Sequence, residues 1–442
     1  MLSINMSATQ VVKSHGPFQG LPTYPQTPEL SNLCAVVTGA NGLSGYHMVR
    51  VLTAAPERWS KIYCLSRRAP PSNFFTDLGD GAARVEHIPV DFLSETTEIA
   101  SRLRENIPKV DYVFFFSYMQ PEQEGNILGM WSDAEGLTKV NSTLLNNFLG
   151  ALEQANLHPK RFLIQTGAKH YGFHIGPATN PSFETDPRVS LEPNFYYAQE
   201  DALAAYCAAT GVGWNVVRPS YIIGAVRDGA LNHMIGLAIY AAIQAHLNQP
   251  LYFPGDYIAW DRELCQSTAL LNAYFEEWAV LTPDAENQAF NIQDGLPFTW
   301  GRFWPSLAEW YGMTWEAPEV EGEKYRAATS RHVQTPRGYG PTGITRSTFS
   351  FQEWSELSSV QAAWQELREK HELVLDPFTP QYRAQIFGMT DSAVIGGWAL
   401  SLSMRKARRM GFLGTVDSFE SARIAIRDLA KLKLVPPMRE TT

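Results

Sequence analysis

Short, almost uninterrupted apolar runs alternate with longer amphipathic stretches through the first half of the chain. The runs fall at residues 34–38, 61–66, 85–90, 112–117, 162–166 and 214–218, and they are rich in β-branched and aromatic residues. Tyr112-Val113-Phe114-Phe115-Phe116 shows none of the in–out alternation of a half-exposed strand, which suits strands covered by helices on both faces. Strands alternating with helical patterns predict an α/β fold with a parallel sheet, and six of them fill a Rossmann-type doubly wound sheet. Past Pro219 the alternation breaks down into a stretch rich in Tyr252, Phe253, Tyr257 and Trp260, followed by a seventh strand expected at 289–292. Helical patterns return at 299–311, 350–370 and 418–433, and the prolines and glycines of 335–343 predict a loop.

This pattern divides the chain into three parts. Residues 1–31 carry Gly16, Pro17, Gly20, Pro22, Pro25 and Pro28, too much punctuation for regular structure, and are expected to lie as an arm on the first domain. A dinucleotide-binding domain is expected over 32–220. A smaller, mainly C-terminal substrate lobe takes 221–442, with 289–295 returning to the sheet.

Composition narrows the functional classes. With 36 Lys and Arg against 45 Asp and Glu, the net charge is −9 and no long basic stretch exists, which argues against a nucleic-acid partner. The longest apolar runs, at 234–243 and 393–404, are shorter than the roughly 20 residues a membrane span requires. The polar start (Ser3, Asn5, Ser7, Thr9) does not read as a secretory signal, so a cytoplasmic location is expected. Cys34, Cys64, Cys207 and Cys265 are scattered and read as free thiols, and no metal site is expected, His170 and His174 included.

The most specific local pattern is Gly39-Ala40-Asn41-Gly42-Leu43-Ser44-Gly45, set between the first strand and a helix. Glycines at every third position permit a tight turn, close approach of backbone N–H groups to a pyrophosphate, and close helix–strand packing. The second strand ends in Arg67-Arg68, where an NAD site usually carries an acid. Guanidinium groups there favour the 2′-phosphate of NADPH over NADH, the alternative being two solvated arginines. Position after later strands places Asp91 and Phe92 near the adenine, and Ser117 and Tyr118 beside the cofactor. Gln165, Thr166, Tyr196, Pro219, Ser220 and Ile222 complete the expected cofactor set.

Short-chain reductases normally carry Tyr-x-x-x-Lys, because residues four apart share a helix face and the ammonium tunes the phenol. No tyrosine here stands four residues before a lysine. At the expected place stands Asn194-Phe195-Tyr196-Tyr197-Ala198-Gln199-Glu200-Asp201, while Gln165-Thr166-Gly167-Ala168-Lys169-His170-Tyr171 brings a lysine in just after the fifth strand.

These two segments resemble the progesterone 5β-reductase and iridoid synthase (PRISE) family of atypical extended short-chain dehydrogenases. The likeness extends to Ser66-Arg67-Arg68, Val140-Asn141-Ser142, Arg218-Pro219-Ser220-Tyr221-Ile222-Ile223-Gly224, residues 290–312, Ser403-Met404-Arg405-Lys406 and Gly411-Phe412-Leu413-Gly414. It covers most of the chain after residue 33. The resemblance implies NADPH-dependent 1,4-reduction of an enone or enal, with Tyr196 and Lys169 as the catalytic pair. Hydride delivered to the β-carbon leaves an enolate whose oxygen needs a donor, the role open to Tyr196, while Lys169 biases the phenol or holds the ribose. Tyr197 is the rival of Tyr196, since adjacent helical residues point about 100° apart.

In the family the Lys-His-Tyr segment continues into Gly-Pro-Phe, but this chain reads Gly172-Phe173-His174-Ile175-Gly176-Pro177-Ala178, so the substrate does not carry over. A small, apolar, carbonyl-containing substrate is expected. Tyr257, Trp260, Phe351 and Trp398 are open as pocket or core residues, and Arg405, Lys406, Arg408 and Arg409 read as a helix end. A carbonyl reductase or epimerase of the extended short-chain type, and a non-catalytic NADP-sensing protein, are the alternative functions. Oligomeric state stays open, a homodimer among the arrangements.

Overall fold

A computed structural model describes residues 11–121, 133–227, 229, 232–320 and 322–439. Residues 1–10 of the expected arm lie outside the described residues. The rest of the arm corrects the expectation of no regular structure, since β1 (Val12–His15) and β2 (Phe18–Pro22) form an antiparallel hairpin. The residues read as breakers make its turn: Gly16 adopts φ +55° and Pro17 follows it. Phe18 and Leu21 are buried, and Gln19 and Thr415 exchange backbone hydrogen bonds of 2.9 Å, tying the hairpin to the C-terminal segment.

The chain then alternates β3 (Leu33–Thr38), α1 (Leu43–Thr53), β4 (Trp59–Ser66), α2 (Asn73–Asp77), β5 (Val85–Pro89), α3 (Thr96–Asn106), β6 (Tyr112–Phe115), α4 (Ala134–Gln154), β7 (Arg161–Gln165), α5 (Phe195–Thr210) and β8 (Gly213–Pro219). After β9 (Tyr221–Ile223), α6 (His233–His246), β10 (Leu251–Tyr252), α7 (Tyr257–Asp261), β11 (Gln266–Thr268) and α8 (Ala269–Leu281), strand β12 (Gln288–Ile292) returns to the same sheet. Its order is β12-β8-β7-β6-β3-β4-β5, parallel throughout.

Side chains of β3 and β6 alternate between two apolar clusters: Ala35, Val37 and Phe114 enter one, Val36, Val113 and Phe115 the other. Both faces are therefore core, which is why these strands read as unbroken apolar runs. The strand order reverses between β3 and β6, and a doubly wound sheet opens its binding crevice at the carboxyl ends of those two strands.

The remaining elements are α9 (Trp300–Tyr311), β13 (Trp315–Glu316), β14 (Arg326–Thr329), β15 (Ile344–Ser347), α10 (Phe351–Trp354), α11 (Ser358–His371), α12 (Pro380–Val394), α13 (Arg405–Arg409) and α14 (Ser418–Lys431). Of these, α9, α11, α12 and α14 gather around α6, which is buried along nearly its whole length. The apolar run at 234–243 is thus the central helix of this lobe, and among the described residues no helix is long and apolar enough to cross a membrane.

One long helix expected over 350–370 is two. Ser350 and Glu353 form a capping box that starts α10, and Leu357, extended at φ −66° and ψ 128°, separates it from α11. In α13, Lys406 Nζ donates to Ala289 O at 2.8 Å and sits 4.8 Å above the Phe290 ring, docking the basic helix on edge strand β12. The four cysteines are free, three of them buried.

Candidate functional site

The turn after β3 leaves no room for side chains at two of its glycines. Gly39 adopts φ +62°, and a Cβ there would lie 2.9 Å from Phe116 O. A Cβ on Gly45 would lie 2.4 Å from Gly39 O and 2.7 Å from Ala40 Cα, so α1 can sit this close to the strand end only with glycine. Gly42 is the N-cap of α1 and supplies no capping side chain, which leaves the first-turn N–H groups for an anion.

A groove of about 380 Å³ runs from this turn across the carboxyl ends of the strands. Gly39, Asn41, Gly42, Leu43, Ser44, Gly45, Arg67, Arg68, Asp91, Phe92, Ser117, Tyr118, Gln165, Thr166, Tyr196 and Ile222 all line it. Asn41 Nδ2 and Ser66 Oγ each donate to Arg68 O at 2.9 Å, fixing the loop that carries the two exposed arginines. Gln165 Nε2 donates to Ser44 Oγ at 2.8 Å, joining the two ends of the groove. Three buried polar atoms of the lining, Asn41 Oδ1, Gln165 Oε1 and Thr166 Oγ1, have no hydrogen-bond partner in the protein. A polar ligand with donors spread along the groove would complete them, and a dinucleotide has that form.

Pro219 and Ser220 do not line the groove. Pro219 closes β8, and Ser220 turns toward the lobe, its N–H donating to Ser267 Oγ at 2.9 Å and its hydroxyl to Cys265 O at 2.7 Å. Sequence position missed Met119, Phe195 and Gln199, which do line it. Gln199 lies one turn after Phe195 on α5, and its side chain donates to Asn141 O at 3.0 Å.

Tyr196 stands in the first turn of α5, and its hydroxyl lies 3.2 Å from where a Cβ on Gly167 would be. Gly167 begins the short turn Ala168–Tyr171 that carries Lys169. Asn194 binds the two segments together: its Oδ1 accepts the Tyr196 N–H at 3.1 Å, and its Nδ2 donates to Lys169 O at 3.2 Å. An Asn just ahead of a helix is a capping signal, but its second bond has no local signature. Tyr197 points elsewhere, its hydroxyl accepting Val189 N–H at 2.9 Å and donating to His170 O.

At the position four residues beyond Tyr196, where a lysine is usual, Glu200 is held by Arg218 at 3.0 Å and His170 at 3.2 Å. Burial works to raise its pKa, but the bond to His170 and the charge of Arg218 outweigh it, and the carboxyl stays below its ordinary range. Burial and the Glu200 charge both push the Tyr196 phenol well above 10, so it is protonated at any physiological pH. Lys169 is buried, and loss of solvent draws its ammonium down to about 8, opposed by Glu192 and reinforced by Arg331. Its Nζ lies 5.3 Å from the Phe195 ring.

Glu192 also accepts from His174 at 3.1 Å, Arg331 at 2.9 Å and His332 at 3.4 Å, pinning the β14–β15 loop beside the Lys169 turn. Among the described residues no group of three or more His, Cys, Asp or Glu is placed to hold a metal ion.

A second cavity, of about 330 Å³, lies on the lobe side and is walled by Phe173, His174, Tyr221 and Trp398. Trp398 Nε1 donates to Phe173 O at 2.8 Å, so of the four aromatics left open by the sequence this one reaches a cavity wall beside the Lys169 turn. Trp260 and Phe351 are core, and Tyr257 is exposed. Adjacent residues of β9 face opposite ways: Tyr221 lines this cavity and Ile222 the groove.

The PRISE-like Rossmann-fold domain family matches residues 35–332. An (S)-8-oxocitronellyl enol synthase of Camptotheca acuminata is 30% identical over 91% of this chain and 93% of its own length. A 3-oxo-Delta(4,5)-steroid 5-beta-reductase of Arabidopsis thaliana is 27% identical over 91% of this chain and 93% of its own. Among solved structures, MoeE5 in complex with UDP-glucuronic acid and NAD aligns with a TM-score of 0.56 and 15% identity, covering 90% of this chain and 99% of that one, a likeness of fold.

Proposed function

The chain belongs to the PRISE-like Rossmann-fold family, and from that premise we propose that it is an NADPH-dependent reductase of activated carbon–carbon double bonds, acting on an enone or enal. The observation that carries the proposal is the meeting of Tyr196 with the Lys169 turn beside the groove, joined through Asn194. Relatives named for an oxo-steroid and for 8-oxocitronellyl support a carbonyl-containing substrate.

The glycine cradle, the unpartnered Asn41, Gln165 and Thr166 atoms and the Arg67-Arg68 pair fit NADPH. When bound there, it supplies hydride to the substrate β-carbon. Tyr196, kept protonated by burial and by Glu200, is a donor rather than a base, and it hydrogen-bonds the substrate carbonyl oxygen. That bond strengthens as the oxygen becomes an enolate, which is the differential binding that lowers a barrier. Lys169, charged below about pH 8, adds positive potential from the adjoining turn. Water then protonates the α-carbon, giving the saturated carbonyl compound.

Tyr196→Phe is the test. NADPH affinity should hold while kcat falls by ~10² to 10⁴. A variant with unchanged kcat would overturn the assignment. Product NMR separates a saturated carbonyl compound from the allylic alcohol that a carbonyl reductase would make.

A further inference from the structure

The cavity beside the Lys169 turn is not an apolar slot. Its lining also holds Arg262, Ser347, Ser350 and Asp391. The guanidinium is fixed by backbone carbonyls alone: Nη1 donates to Trp398 O at 3.3 Å, and Nη2 to Ala393 O at 2.8 Å and Val394 O at 3.2 Å. Among the described residues no carboxylate pairs with it, and its Nε is buried without a hydrogen-bond partner. Burial, opposed by Tyr221 and Asp256, lowers its pKa only to about 10, so it is charged at neutral pH. Asp391 makes no ion pair with it and accepts the N–H groups of Phe351 at 2.6 Å and Gln352 at 3.2 Å, and burial raises its carboxyl to about 7, so it carries only part of a negative charge at neutral pH.

A part-buried guanidinium with no carboxylate in direct contact is held at a cost, which an anionic ligand would offset. Three carbonyl contacts hold the planar group still, so little freedom is lost when an anion meets it. The turn that carries Lys169 runs directly into Phe173 and His174, which wall this cavity, so the cavity adjoins the segment that meets Tyr196.

We propose that the substrate carries an anionic oxygen group, a carboxylate in the simplest case, which docks on Arg262 while its enone end reaches Tyr196. The inference rests on the reductase reading and makes the substrate polar at one end. It separates this chain from one serving a wholly apolar enone.

The test compares KM for 4-phenylbut-3-en-2-one bearing a para-carboxylate with that for its methyl ester and for the unsubstituted parent. The wild-type protein should favour the carboxylate over the ester by about tenfold or more, as a charge-assisted bond implies. Arg262→Gln should bring that ratio close to one. Should the variant not fold, Gly396→Ala serves, because its Cβ would lie 2.6 Å from Arg262 Nη1 and displace the guanidinium without deleting it. A ratio near one in the wild type, or a preference that survives both variants, overturns the inference and leaves the reductase reading standing. Turnover of none of the three compounds overturns the reductase reading and the inference with it.

Discussion

Replacing Asn194 by alanine should damage stability and chemistry together, because one side chain serves both. Its oxygen caps α5 through the Tyr196 N–H at 3.1 Å, and its amide holds the Lys169 carbonyl at 3.2 Å, in a site only 8% exposed. Losing an N-cap costs about 0.5–2 kcal/mol. The Lys169 carbonyl keeps the Gly172 N–H at 3.0 Å, so losing the Asn194 amide bond adds only the net worth of one hydrogen bond, about 0.5–1.5 kcal/mol. Together the loss comes to roughly 1–3.5 kcal/mol. Urea unfolding, read by tryptophan fluorescence, would show this as a lower midpoint at unchanged slope. Because the same bonds set the spacing of Tyr196 and Lys169, kcat should fall by about 10- to 100-fold, the scale of an ångström-sized misplacement. Asn194→Asp separates the effects: it keeps the cap acceptor but removes the donor to Lys169 O, so it should recover much of the stability and little of the rate. An Asn194→Ala protein with full kcat would refute the linkage, whatever its stability.

Four further outcomes follow from the same geometry. Gly45→Ala places a Cβ 2.4 Å from Gly39 O and should abolish measurable NADPH binding by fluorescence titration; retained affinity would mean the turn is not the phosphate cradle. Arg67→Ala with Arg68→Ala should weaken NADPH by ~10² or more, with little change for NADH, as expected from losing charge-assisted bonds to one phosphate. If protonated Lys169 is required, kcat should fall with rising pH above about 8, approaching tenfold per unit, and a flat profile would remove that role. Stability should move the other way: between about 8 and the unfolded value of 10.5 the unfolded chain binds the extra proton, so this group's contribution to folding improves as pH rises.

The central sheet was legible because strands buried on both faces cannot alternate polar with apolar residues, and Tyr112 to Phe116 shows that directly. The glycine turn was legible because its constraint is local: Gly39 and Gly45 are required by atoms within a few residues or on the neighbouring strand end. Gly16 and Pro17 look like breakers in sequence but build the β1–β2 turn, and the break at Leu357 is hidden inside continuous helical periodicity. The pairing of Tyr196 with the Lys169 turn could be approached only through resemblance, since the contacts between them run through Asn194 and through space. The second cavity could not be found at all from sequence. Phe173, Tyr221, Arg262, Ser350 and the Asp391–Trp398 stretch are five separate segments, and none carries a pattern that announces the others.

The most direct test of the reductase account is the fate of a labelled hydride. The protein would be given NADPH carrying deuterium at the transferable position together with 4-phenylbut-3-en-2-one, and the product analysed by NMR. The account predicts 4-phenylbutan-2-one with deuterium on the β-carbon, lost in Tyr196→Phe. Deuterium on a carbinol carbon, or no transfer to any enone or enal tried, would contradict it.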